Sequence, residues 1–448
     1  HKAIRRQRQM CIRDRITSLL YLTSVGIFAG SLQLPLARAA DLTWNGGNSS
    51  WTDSGAWLLD GSSADWINGS SALFQTGSTL IVGSGISAAG LLYEGAAVTL
   101  NGGSLTLAGN ASGSNGGSAT LSGTALTLNS ANQEDRWTVR DTSLSGSSTL
   151  TKTGNGTVTL SGTHTANGTW NINAGTLVFT GTRDITGGGQ INIASGAVLD
   201  ASGGRLFHAA NYASNWEQPT ITLNGGTLKL NQFGYNSASL GCLQNNFYAL
   251  KFSSGTTSRV IISQGYESGG TGSRGIYIAG WGTTAVIELG ANQTFTWSSS
   301  NGQNFDSIVC ESGAGSALQL DVGENSVFNF DQKFANKNTA NEYGAPTTSN
   351  FSGLSLIKSG SGELVIKRAN TISSGRVVRV DAGKLTLDVD NAFGTGSGLG
   401  GVNIASGALL SMNGHTLNNT IEVVSGATLD MGGSSYASLV NWHEGAFS

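Results

Sequence analysis

Residues 147–179, SSTLTKTGNGTVTLSGTHTANGTWNINAGTLVF, decide the fold of this chain. Two runs within them alternate apolar and small polar residues. Leu150, Val158 and Leu160 belong to the first run, and Trp170, Ile172, Leu177 and Phe179 to the second. A period of two marks a strand with one face buried. Gly156 and Gly175 hold equivalent places 19 residues apart, which is the length of one turn of a coil and not of a hairpin.

The unit recurs along the chain. With a glycine as origin, apolar residues stand five and three positions before it: Val98 and Leu100 before Gly103, Trp170 and Ile172 before Gly175, Ile191 and Ile193 before Gly196, Ile221 and Leu223 before Gly226. The same holds for Leu318 and Leu320 before Gly323, Val378 and Val380 before Gly383, Val402 and Ile404 before Gly407, and Ile421 and Val423 before Gly426. A second apolar pair follows each glycine, as in GTLVF, GKLTL (with Leu385) and GALLS. Self-similarity at 20–30 residues predicts a solenoid, here an all-β parallel β-helix with about 20–25 residues per rung.

Composition agrees. In a solenoid each rung touches only its neighbours, so 448 residues need no single large core. The 66 glycines, with abundant Ser and Thr, are poor helix material. Disorder is opposed by 38% hydrophobic residues in a repeating pattern and by only three prolines. Charged residues make up 11%, which suits stacking, because like charges one rung apart repel whereas Asn, Ser and Thr form ladders. Asn171, Asn173, Asn192 and Asn403 recur in ladder positions.

Residues 1–40 read as a signal peptide, with a basic head (Lys2 to Arg15), an apolar middle (16–30) and a small-x-small site at Ala37-Arg38-Ala39. A transmembrane helix is the competing reading, disfavoured by Gly26, Gly30, Gln33 and Pro35. The first fifteen residues also resemble a translated sequencing-adapter remnant, which would place the true start further in. Without the seven basic residues of this segment and Asp14, 17 basic face 26 acidic residues, a net charge of −9. No basic patch survives to bind nucleic acid. Cys242 and Cys310 are left in the exported chain, open equally to a disulfide and to buried thiols.

The mature chain divides by rhythm. Residues 41–77 carry Trp44, Trp51, Trp57 and Trp66 and read as a cap over the open end of the first coil, with a sugar-binding platform as the alternative. Residues 78–204 are regular rungs. Across 205–351 strands persist between longer aromatic-rich loops, the place where a scaffold usually carries binding; Trp216, Tyr235, Trp281 and Trp297 are the candidate ligand surface. Regular rungs return over 352–448, and the sequence stops just after one of them, as a fragment of a longer polypeptide would.

Catalytic and cofactor signatures are weak. The dinucleotide-like GTGSRG (270–275) and GSGLGG (396–401) precede no helix in a βαβ unit and read as turns. GGTGSR (269–274) starts like a calcium nonapeptide but has Arg274 at the ligand position. There is no Gly-x-Ser-x-Gly, and the five histidines lack metal-ligand spacing. A polysaccharide lyase or glycosidase would need clustered carboxylates. Asp200, Asp381, Asp388, Asp390 and Asp430 are the candidates, but they are isolated in sequence. The expectation is no enzyme, no metal and no cofactor.

STLTKTGNGTVTLSGTHTANGTWNINAGTLVF and LSLIKSGSGELVIK…RVVRVDAGKLTL resemble the passenger-associated-transport repeat of autotransporter proteins, roughly Leu-x-Lys-x-Gly-x-Gly-x-Leu-x-Leu followed by a strand and Gly-x-Leu-x-Leu. Leu150, Lys152, Gly154, Gly156, Val158, Leu160, Gly175 and Leu177 carry the first copy. Leu356, Lys358, Gly360, Gly362, Leu364, Ile366, Gly383 and Leu385 carry the second. Gly407 and Gly426 mark looser units after it. The resemblance implies a right-handed β-helix, exported and displayed at or released from a Gram-negative surface, in which the repeats are structural. The family's C-terminal membrane β-barrel translocator, with its ten-residue amphipathic strands, is not found in these 448 residues, so anchoring is inferred. The expected function is a secreted, surface-displayed passenger of structural or adhesive role whose partners are surface glycans or proteins of host or neighbouring cells. A polysaccharide-degrading β-helix and a non-enzymatic glycan-binding module are the alternatives.

Overall fold

Alternation sends every second side chain of these runs inward, and glycine, or at some corners Asn or Asp at positive φ, turns the chain, so successive strands lie parallel to their counterparts one rung on. The computed structural model describes residues 41–46, 49–183, 189–206, 220–231, 250–262, 276–278, 282–298, 307–310, 315–336, 354–433 and 440–442. The described residues contain no helix.

From Ser70 onward the described strands pair in parallel, apart from the isolated antiparallel bridges Ala194–Gly225 and Ser373–Leu399, and they fall into three stacks. All three are visited in turn over 78–200 and again over 294–359, and two of them elsewhere. One turn runs Thr142–Ser145, Thr149–Thr153, Thr157–Leu160; the next runs Thr163–His164, Trp170–Ile172, Thr176–Phe179. We call the three stacks the first, second and third faces in that order. The chain is therefore a parallel β-helix.

Inward residues form continuous columns. On the third face Trp137, Val158, Leu177, Leu199, Leu228, Val260, Ile287, Leu320, Lys358, Val380, Ile404 and Val423 stand in register. All are buried. On the second face one column runs Leu107, Leu128, Lys152, Ile172, Ile193, Leu223 and Phe252. Burying each aliphatic side chain contributes about 1.5–3 kcal/mol, against the backbone entropy lost in ordering the rung.

Rung length follows from the registers. Val158 to Leu177 is 19 residues and Lys358 to Val380 is 22. Leu228 to Val260 is 32, and Leu320 to Lys358 is 38. In the two regular regions the rungs run 19–24 residues, slightly shorter at the low end than the expected 20–25, and the middle of the chain inserts extra residues between strands that stay stacked on the third face.

The glycine-based units are not all at one corner. Gly103 turns the first face into the second; Gly175, Gly196 and Gly226 turn the second into the third; Gly383, Gly407 and Gly426 turn the third toward the first. The repeat is a corner motif rather than a fixed place on the rung.

Antiparallel pairing occurs at the N-terminal end, where Asp41–Trp44 pairs with Trp57–Leu59 and Trp57–Leu59 with Ser62–Ala64. This ribbon collects the tryptophans. Trp51 and Trp57 lie 5.0 Å apart, centroid to centroid, Trp57 and Trp66 lie 4.8 Å apart, and Phe74 continues the cluster 5.6 Å from Trp57. Trp57 Nε1 donates to the Trp51 carbonyl and Trp44 Nε1 to Ser78 Oγ. Trp44, Trp51 and Trp57 are buried, so they fill the end of the coil and present no flat exposed platform.

From Thr106 to Thr222 the outward ladder of the second face is uncharged: Thr106, Thr127, Thr151, Asn171, Asn192 and Thr222 stand in register, Asn192 Nδ2 donates to Asn171 Oδ1 at 2.9 Å, and Lys251 follows as the next position. Asn403 does not continue such a ladder: it stands between Arg379 and Glu422, where a neutral residue separates opposite charges. Asn173 is exposed just past its strand. Glu288 and Asp321 do stack as like charges, and Arg259 pairs with both.

Candidate functional site: the lysine corners and the outward surface

In each copy of the Leu-x-Lys-x-Gly-x-Gly motif the lysine falls on the inward phase of its strand, two residues after an inward leucine. Lys152 therefore lies in an aliphatic column between Leu128 and Ile172, and Lys358 between Leu320 and Val380. Both are fully buried. A buried ammonium is expensive unless its three donors are met. Lys152 Nζ donates to the carbonyls of Thr153 (2.8 Å), Gly154 (2.8 Å) and Ala174 (3.1 Å). Lys358 Nζ donates to those of Ser359 (2.7 Å), Gly360 (2.7 Å) and Ala382 (3.1 Å). Two acceptors belong to the lysine's own corner and the third to the next rung.

The glycines make room for this arrangement. Gly154 and Gly360 have φ of +70° and +75°. Gly175 and Gly383, one rung on, have φ of +63° and +65°, and a Cβ on either would sit 2.4–2.5 Å from backbone carbonyl oxygens of the glycine pair below. Burial pushes both lysines down to about 8, which leaves them mostly protonated at neutral pH, as three carbonyl acceptors require. What the corner does is join two rungs. The copies occupy different faces, Lys152 the second and Lys358 the third.

The proposed ligand surface fares differently. Trp297 is buried, 1% exposed, in register with Phe330 and edge-on to it at 5.9 Å. It is a core residue, because Phe295 and Trp297 share the inward phase of one strand; this corrects its assignment as a surface aromatic. Trp216, Tyr235 and Trp281 lie outside the described residues, as do Cys242 and residues 1–40.

The carboxylates named as acid/base candidates each have a local partner. Asp200 accepts from Ser202 and faces Lys229 at 3.9 Å. Asp381 pairs with Arg379, and Asp388 with Lys367 at 2.9 Å. The Thr416 backbone N–H, then His415, hold the Asp390 carboxyl below the usual carboxylate range. Asp430 accepts from Ser411 and from the Gly432 N–H, the same two-residue turn contact that Asp200 makes. Asp200 is on the third face and Asp430 on the first, so the two do not share a rung position. Among the described residues no cluster of three His, Cys, Asp or Glu is placed to hold a metal ion.

Sequence reasoning missed one buried polar group. His164 and Arg183 are fully buried and in register one rung apart. The Arg183 guanidinium lies 4.6 Å over the Trp170 ring and donates to the Gly168 carbonyl. Their strands are two residues long and carry no apolar alternation, so the usual signal is lacking.

Residues 150–179 match the passenger-associated-transport-repeat family model. No curated protein matches the chain, and no solved structure does. The match spans the Lys152 corner and the strands stacked on it; the Lys358 corner lies outside it and repeats its geometry.

Proposed function

We propose that this chain is a passenger of an autotransporter, exported to the surface of a Gram-negative bacterium, where it acts as a structural and adhesive β-solenoid rather than as an enzyme. The observation that carries the reading is the passenger repeat at 150–179, seated in an unbroken parallel stack. Stacked rungs make a stiff support on which inserted segments are held away from the cell. The family expectation adds a translocating β-barrel C-terminal to the passenger. A non-catalytic role is supported by the carboxylates, each of which is engaged by a local partner. The adhesive part rests on the long insertions between 205 and 351 and on the uncharged stretch of the second face from Thr106 to Thr222.

The test fuses the chain ahead of a translocator barrel in a Gram-negative host and follows surface exposure by protease shaving of intact cells. A protease-resistant product on the outside, together with binding of the displaying cells to a glycan or epithelial surface, is the expected result. Retention in the periplasm while the barrel inserts would overturn the passenger reading. Turnover of a polysaccharide by the purified chain would overturn the non-catalytic one.

A further inference from the structure

The first face is not laddered continuously. The strands Ser78–Ile81, Ala97–Asn101, Ser118–Ser122 and Thr142–Ser145 form one sheet, and Thr163–His164 with Thr182–Arg183 forms another. Across the gap the backbone bonds Thr165 N–H to Leu144 O (2.8 Å) and Asn167 N–H to Gly146 O (3.0 Å) are made. The Leu144 N–H has no strand partner there and donates instead to His164 Nδ1 at 3.3 Å. The imidazole stands in for a missing carbonyl.

This use of Nδ1 as acceptor sets the tautomer: the neutral ring carries its proton on Nε2. A second proton would have to go on Nδ1, where it would meet the Leu144 N–H head-on and remove the acceptor that closes the gap. It would also place a positive charge one register position from Arg183, inside a pocket walled by Trp170 and Phe179 at 5.7 and 5.8 Å. Arg183 is the charge that acts on the ring. The inward Lys152 of Thr149–Thr153 is engaged by the Thr153, Gly154 and Ala174 carbonyls, the strands Thr142–Ser145, Thr157–Leu160 and Thr176–Phe179 carry no charge, and Arg140 and Asp141 pair with each other at the surface. The second and third faces cross this level with their ladders intact.

We infer that His164 makes this seam an acid-sensitive device: the neutral imidazole closes the first face between 142–145 and 163–164, and protonation opens it while the other faces hold. Burial is the largest cause of the depressed basicity, the Ser161 backbone opposes it and the Arg183 charge adds to it, leaving the group at about 4. Opening restores the ordinary value near 6.5, so at about pH 4.5 the opened form gains roughly tenfold to a hundredfold over its population at neutral pH.

Hydrogen–deuterium exchange of the full chain at about pH 7 and about pH 4.5, corrected for intrinsic rates, tests this. Peptides covering 142–167 should lose roughly tenfold or more of their protection in acid, while peptides from 189–206 and 401–411 keep theirs. His164→Asn, which retains an acceptor near Nδ1 and does not titrate, should keep the 142–167 protection in acid. Unchanged wild-type protection, a loss shared equally by all rungs, or an equal loss in His164→Asn would overturn the inference. If the variant fails to fold, the confinement of the wild-type loss to 142–167 decides.

Discussion

Lys152→Met isolates what the buried ammonium contributes. The methionine stem fills nearly the same volume between Leu128 and Ile172, so the column stays packed and no cavity opens. What is lost is the donor to three carbonyls, and each buried acceptor left unmet costs about 1–3 kcal/mol. What is regained is the desolvation of the charge; a fall from 10.5 to about 8 corresponds to about 3 kcal/mol, an upper figure because the head group sits near the surface of the corner. The Thr153 carbonyl keeps the Ser130 N–H, so the loss falls on the Gly154 and Ala174 carbonyls, and the net expectation is a destabilisation of about 1–2 kcal/mol, or roughly fivefold to 30-fold in local opening. A repeat protein opens locally, so the assay is exchange protection of amides in 149–157 and 170–177 beside the global urea midpoint. Lys358→Met should match it, since the two sets of distances are nearly the same. A Lys152→Met chain as stable as wild type at neutral pH would show that the ammonium is tolerated rather than needed, and the rung-joining role would fail with it.

Three further outcomes are expected. Gly175→Ala, where a Cβ meets backbone oxygens at 2.4–2.5 Å, should cost about 2–5 kcal/mol by urea unfolding, whereas Gly196→Ala, at φ +74° with open space, should cost only the left-handed strain of about 1–2 kcal/mol. Both lysines titrate lower in the folded chain than in the unfolded one, so between pH 8 and 10.5 the unfolded chain holds more protons and their linkage raises stability with pH, by up to about 1.4 kcal/mol per unit for each lysine. Comparing wild type with the Lys152→Met/Lys358→Met double variant across that range should show this slope vanish. Trp57→Ala should cost about 3–5 kcal/mol locally and fray the N-terminal ribbon first, seen as early proteolysis within 41–66 while rungs beyond 97 stay resistant.

Much of this architecture was readable because its determinants are local. The inward phase of Leu177, Ile193 or Val402 follows from alternation alone, and the corner at Gly175 from a glycine between two such runs. Lys152 was visible as a motif residue, but its direction needed the phase argument: it is two residues from Leu150, so it must point where leucine points. Trp297 obeys the same rule: it is two residues from Phe295 and shares its inward phase, whatever its aromatic character suggests about a surface role. His164 was not legible. Its strand has two residues, too few for a period, and the group it serves, the Leu144 N–H, is 20 residues away in sequence. Which corner each glycine turns was hidden for a related reason, since each strand knows only its own faces and not how many have gone before.

The length of the matched repeat has a physical explanation. A single rung cannot satisfy its own lysine, because the third acceptor, Ala174, and the glycine that lets the backbones close, Gly175, come from the rung stacked above. The smallest segment holding a complete corner therefore runs from Leu150 to Gly175, and 150–179 adds the strand Thr176–Phe179 that stacks on Thr157–Leu160. Such a unit still exposes aliphatic columns above and below, so it is not expected to fold alone. It should instead order when a neighbour is already in place, each new rung meeting the carbonyl demand of the lysine beneath it. Because Lys152 and Lys358 do this on different faces, the motif needs only two parallel strands and a corner.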